Sequence, residues 1–187
     1  MSMDGDTGGI VNFCIEHMTS DPVKLFRSIV REKEVPMHGG IHHIIVPLVL
    51  ITAYWNVKKD FDLRSYLNEA VERAQNVPET ICGYWGCCGS AIGTGIFLSV
   101  ITRTTPLTKG KRWGECNTIT SESLSKIGSY AGPRCCKRNA VLAIKAACEY
   151  VEKEFDVKLS PSEFGCTRVA DNPDCIGSKC PFYIDKE

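Results

Sequence analysis

The chain is expected to fold as a single, mainly α domain: a helical bundle of about six helices with a cysteine-rich C-terminal metal-binding loop packed against it. Three observations predict this. Apolar residues recur at helical spacing through most of the 187 residues, and alternating strand patterns are scarce. A capping residue or a proline stands just ahead of several of these apolar runs. From Cys166 onward the periodicity stops, and three thiols, Cys166, Cys175 and Cys180, fall within fifteen residues on a segment with little apolar material to bury.

Residues 1–20 are acidic and glycine-rich at their start and read as a flexible N-terminal segment, leaving 21–187 as one helical domain that includes the 160–187 tail. Asp21-Pro22 opens the first helix, to about Glu34, with Val23, Leu25, Phe26, Ile29 and Val30 on one face. After the Pro36–Gly40 break, Ile41 to about Val57 is the central buried helix, with Pro47 in its opening turns. Asp62 caps the next, whose apolar face runs from Leu63 to Ala74 and which ends at Gln75. Gly89 to Ile101 carries small residues at Gly89, Ala91 and Gly93, a spacing that lets a helix backbone approach its neighbour closely. A further helix is expected over Thr120–Ser129, and a long one over Pro133–Phe155 with Pro133 at its first position. Ser160-Pro-Ser-Glu163 reads as a capping box opening one short turn.

Composition narrows the function. Acidic and basic residues balance at 22 each and are interleaved, so neither a nucleic-acid face nor a polybasic membrane patch is expected. The apolar stretches 44–55 and 92–101 fall short of the roughly 20 residues a bilayer needs and read as core helices. The N-terminus lacks the basic and apolar regions of a signal peptide, so the cytosol is the expected compartment. Eleven cysteines, an odd number with adjacent pairs at 87–88 and 135–136, suit reduced or metal-bound thiols better than disulfides.

Reactive groups gather in four places. His38, His42 and His43 surround a glycine turn at the start of the central helix, where they could move protons, hold a metal or hydrogen-bond locally. Cys82-Gly-Tyr-Trp-Gly-Cys87-Cys88-Gly89 puts thiols at a helix N-terminus, which stabilises thiolate. The Gly93-Thr-Gly95 that follows has neither the preceding strand nor the lysine of a phosphate loop. Arg134-Cys135-Cys136-Lys137-Arg138 sets cations against the positive end of a helix, a conflict that an anion or thiolate would relieve. Arg134 and Lys137 would suit a carboxylate or phosphate. The fourth place is the tail. Its ligand spacings are long for a zinc knuckle and easy for a 4Fe-4S cluster, and Pro181 follows Cys180 as proline often follows a cluster cysteine. A fourth ligand from Cys82, Cys88 or Cys136 would complete the cluster, or that position would be left to substrate; zinc is the alternative metal.

The series HGGIHH near residue 40, WGCCGSAIGTGIF near 90, Trp113-Gly-x-x-Asn117, GPRCCKR near 135 and the cysteine tail resembles an uncharacterised family of domains of unknown function from anaerobic bacteria and methanogenic archaea. Its members occur alone or fused to SAM-dependent methyltransferase or radical-SAM modules. The usual form of the first motif is HGPEHH, where this chain has Gly40 and Ile41. The resemblance implies no reaction.

Two functions follow. In the first, an open iron position acts as Lewis acid or sulfur carrier on a small anionic molecule held by Arg134 and Lys137, with His42 or His43 moving a proton. In the second, a fully ligated cluster or zinc makes the chain a non-catalytic accessory or redox-sensing module for a methyltransferase or radical enzyme.

Overall fold

The computed structural model describes residues 6–184. Among these are α1 (Thr7–Glu16), α2 (Pro22–Glu32), α3 (Ile41–Lys58), α4 (Leu63–Ala74), α5 (Ile81–Tyr84), α6 (Gly89–Ile101), α7 (Lys111–Gly128) and α8 (Cys136–Phe155), a 3-10 turn at Gly177–Lys179 and no strand. Eight helices replace the expected six because α1 and the single turn α5 show no readable apolar period.

α3 is the axis of the bundle. Every residue from Ile41 to Ala53 is buried, and the helix packs against α6, α4, α2, α8 and α1. By length and composition it could cross a membrane, but an all-round apolar helix enclosed on every side is also what a core helix looks like. Pro47 has no N–H, so the carbonyl of His43 one turn earlier lacks its usual helical donor. Gly93 of α6 fills that notch: a Cβ added there would lie 3.0 Å from Pro47 Cδ and 3.1 Å from the His43 oxygen. Two residues on, a Cβ at Gly95 would lie 2.4 Å from Thr120 Oγ1 of α7. The small residues of α6 thus serve two close helix crossings.

The starts of α2 and α4 follow the sequence signals. Asp21 accepts from Lys24 N at 2.8 Å and Asp62 from Ser65 N at 2.6 Å, each cap contributing about 1 kcal/mol.

Four expectations need correction. Residues 7–16, read as flexible, form a helix that Asp6 caps by accepting from Gly9 N and that buries Ile10, Val11, Phe13 and Cys14; glycines in its first turn mask the signal. α7 begins at Lys111 rather than Thr120. Its first two turns, to Thr118, bury only Glu115, held by Lys111 at 3.1 Å and Arg112 at 2.8 Å, so charge pairs rather than an apolar stripe support them. α8 starts at Cys136, not at Pro133, which lies in the preceding turn; the Cys135 thiol takes the capping position and accepts from Arg138 N at 3.4 Å. Residues 160–165 form no helical turn. Their N–H groups are used elsewhere, Ser160 N donating to Ser20 O and Ser162 N to Asp21 Oδ1, so Asp21 secures both α2 and the tail.

Beyond this junction the tail folds back on itself. Cys166 N donates to Phe182 O at 2.8 Å, and Phe182 meets Phe164 edge-on, which in turn packs on Phe26 of α2.

Candidate functional site

The four reactive segments meet at one end of the bundle, where they surround two cavities rather than one. The dividing line runs between Cys135 and Cys136. Side chains of successive residues at a helix start point in different directions, about 100° apart along the helix itself, so this adjacent pair splits between the two sides.

The first cavity is a cleft between α8 and the tail, lined by Cys135, Cys166, Cys175 and Cys180 together with Lys137 and Arg138. Its free volume is about 20 Å³, room for about one water. Two of the thiols already receive backbone N–H groups: Arg138 N donates to Cys135 Sγ and Gly177 N to Cys175 Sγ, each at 3.4 Å. The second of these needs the turn at Gly177, whose φ of +56° favours glycine. N–H donors of this kind stabilise thiolates and tune metals bound to them. Burial pushes the Cys166 and Cys180 thiols up, with Cys135 and Cys175 as neighbouring thiols of both.

Lys137 does not reach toward a substrate. It is only 2 % exposed, and its Nζ donates to Val35 O at 3.3 Å and Pro36 O at 2.6 Å, tying α8 to the turn before α3. Burial lowers its pKa to about 8, while the thiols of Cys135, Cys136 and Cys166 act in the opposite sense.

The second cavity, of about 140 Å³, is lined by Cys82, Cys88, Cys136, His38, His43 and Arg134, with Asn139 at its wall. It adjoins an open groove of about 630 Å³ that shares Cys82, Cys88, Arg134 and Asn139 and continues past Tyr84 and Tyr130, a route of access. Asn139 Nδ2 approaches Cys88 Sγ at 3.6 Å. The starts of α3, α6 and α8 all lie on the cavity wall, through Gly40, Gly89 and Cys136.

The chain matches, over residues 10–183, a family of unknown function, DUF5714. The chain belongs to that family. No curated protein and no solved structure matches it. Because the match covers both cavities and the tail, family membership places all four reactive segments in one domain and leaves their chemistry to be argued from geometry.

The histidines separate in role. His43 lines the second cavity, with the Nε2 edge of its ring against Gly89, where an added Cβ would lie 2.3 Å from it. Its Nδ1 is buried without a close hydrogen-bond partner, as are His38 Nδ1 and His42 Nε2, while the backbone of Val77 opposes the lowering of the His43 pKa by burial. His42, by contrast, is wholly buried outside the cavity lining; its Nδ1 bonds Gly39 O at 3.1 Å. Burial, followed by the charge of Lys137, drives its pKa down to about 3, with His43 and His38 adding smaller effects in the same direction.

That shift has a consequence for stability. The unfolded ring takes up a proton near pH 6.5 and the folded one only near 3, so its contribution is intact above 6.5 and is lost as pH falls toward 3. The slope should approach about 1.4 kcal/mol per pH unit. Urea unfolding at pH 7 and pH 5 should show this loss in the natural protein and a smaller one in His42→Gln; equal losses would mean the ring is protonated in the fold.

Among the described residues, no three His, Cys, Asp or Glu side chains stand close enough together to hold a single metal ion as they are placed. Sequence reasoning leaves both Cys87 and Cys135 without a role, and of the two it is Cys135 that lines the tail cleft. Its neighbour Cys136 looked equivalent in the sequence, and only the direction in which each side chain leaves the start of α8 distinguishes them.

Proposed function

We propose that this protein is an iron-sulfur protein whose tail centre is a 4Fe-4S cluster held by Cys135, Cys166, Cys175 and Cys180, and that a small anionic molecule is bound and transformed in the neighbouring cavity. The observation that carries the reading is the placement of Cys135 opposite the three tail thiols, which raises three candidate ligands to the four that a cluster takes. A cluster keeps its ligand sulfurs farther apart than a single ion does, which agrees with thiols that share a cleft without converging. Lys137 and Arg138 supply positive charge beside the thiolates. Since the thiols of Cys166 and Cys180 are pushed up by burial, metal uptake must release protons and should strengthen with rising pH.

Four protein ligands and little free space leave no position for substrate at the tail. Chemistry is therefore assigned to the second cavity, where Arg134 can bind a carboxylate or phosphate and His43, kept neutral by burial, can accept a proton. A second reading follows from the narrowness of the tail cleft. A single zinc ion needs less room than a cluster, and a closed zinc site would make the chain a structural or accessory module for a methyltransferase or radical enzyme.

Purification without oxygen, with iron, sulfide and zinc analysis, separates these readings. Bound iron and sulfide, reduced in both Cys135→Ser and Cys175→Ser, is the expected result. One zinc without sulfide would establish the second reading, and full metal content in Cys135→Ser would reject the four-thiol centre.

A further inference from the structure

We infer that the second cavity is itself a cofactor site: Cys82, Cys88 and Cys136 hold a second iron-sulfur cluster by three thiolates, leaving one iron open toward Arg134 and His43. This inference shares its cofactor class with the tail centre but uses none of its ligands.

Four observations converge on it. The three thiols line one cavity of about 140 Å³, the space lacking at the tail. Cys82 and Cys88 are the thiol neighbours of Cys136, whose own thiol burial pushes up. Asn139 points its Nδ2 at Cys88 Sγ, 3.6 Å away, a side-chain donor to a ligand sulfur. The fourth is the charge of the walls. α3, α6 and α8, of 18, 13 and 20 residues, all begin here; Glu79 on the same wall already accepts from Gly40 N at 2.8 Å and Cys135 caps α8, whereas Cys88 gives α6 no side-chain cap. The open start of α6 and Arg134 thus face this space, an arrangement that favours a bound anion. A cluster carrying three thiolates is such an anion.

His43 lines the cavity with its ring 8 % exposed, and Gly89 leaves space for its Nε2 edge.

An iron without a cysteine ligand binds water or a substrate oxygen, nitrogen or sulfur atom. With Arg134 beside it, the fitting ligand is a small carboxylate or phosphate that also carries a hydroxyl, carbonyl or thiol group. The groove past Tyr84 and Tyr130 gives it access. Cys135 and Cys136, adjacent in the chain, would then each ligate a different cluster, joining the two centres through a single peptide bond.

The test is iron and sulfide content of the full chain reconstituted without oxygen, paired with electron paramagnetic resonance after mild oxidation with ferricyanide. The natural protein should bind about eight iron and eight sulfide per chain, twice the content of one 4Fe-4S cluster. Cys82→Ser and Cys136→Ser should each retain about half, as should Cys175→Ser. Oxidation should convert the open cluster to a 3Fe-4S form with its own resonance, present in Cys175→Ser and absent in Cys136→Ser. Circular dichroism confirms that each variant is folded, and the partly exposed Cys82 provides a variant with little packing to disturb. About four iron per chain, lost with Cys175→Ser and unaffected by Cys82→Ser and Cys136→Ser, would overturn the second site while leaving the tail centre standing. The reverse pattern would remove the tail centre and leave this one.

Discussion

Replacing Gly93 with valine should cost most of the stability of the fold. Even a single Cβ at this position would come within 3.2 Å of Pro47 Cδ, the His43 carbonyl and Val46 Cβ, and two of those three atoms belong to a rigid ring and to backbone. α3 cannot retreat, since it is enclosed by four other helices besides α6. Valine adds two further methyl groups, each of which must find volume in a close-packed interior, at about 1–3 kcal/mol for such overpacking and more where backbone is met. Against a typical total of about 5–15 kcal/mol, that leaves a marginal or unfolded protein. Gly114 provides the contrast. It lies inside α7 with nothing within 4 Å of an added Cβ, so Gly114→Ala should stabilise by about 1 kcal/mol through helix propensity alone. Urea unfolding of both variants checks the pair; similar stabilities would mean that α6 does not press on α3 at Pro47.

Lys137→Met should destabilise the protein by several kcal/mol and empty the tail centre. Methionine keeps much of the buried volume, so the loss is chiefly polar. Two carbonyls, Val35 O and Pro36 O, would lose the donor that now reaches them, at about 1–3 kcal/mol each where they are cut off from water. The same change frees the turn before α3 from the start of α8 and removes a cation whose charge interacts with the thiols of Cys135, Cys136 and Cys166. Metal analysis together with denaturant unfolding decides the matter. Unchanged stability would show that the carbonyls are satisfied by solvent, and unchanged metal content would remove Lys137 from the environment of the centre.

These two residues also mark how far the sequence could be read. Gly93 was legible: small residues at helical spacing in an apolar run indicate a close crossing, although which helix crosses there is a tertiary fact. Lys137 was not, because a cation in the first turn of a helix reads as a surface charge or a substrate ligand. Only the carbonyls of Val35 and Pro36, a hundred residues away, make it a buried tie. The central helix and the capped starts at Asp21 and Asp62 were visible for local reasons, while α1 and the first two turns of α7 were hidden by glycines and by charge pairs that carry no apolar period. In the candidate site, the segments were legible and their partition was not. Adjacent cysteines at 87–88 and 135–136 look interchangeable in one dimension. Cys88 and Cys136 face a cavity lined by the starts of three helices, whereas Cys135 caps α8 and faces the tail.

Diffraction from crystals grown without oxygen, recorded on either side of the iron absorption edge, would test the four-thiol centre most directly. A peak of iron anomalous density among the sulfurs of Cys135, Cys166, Cys175 and Cys180 is the predicted result. Ordered density for those four thiols with no metal between them would contradict it.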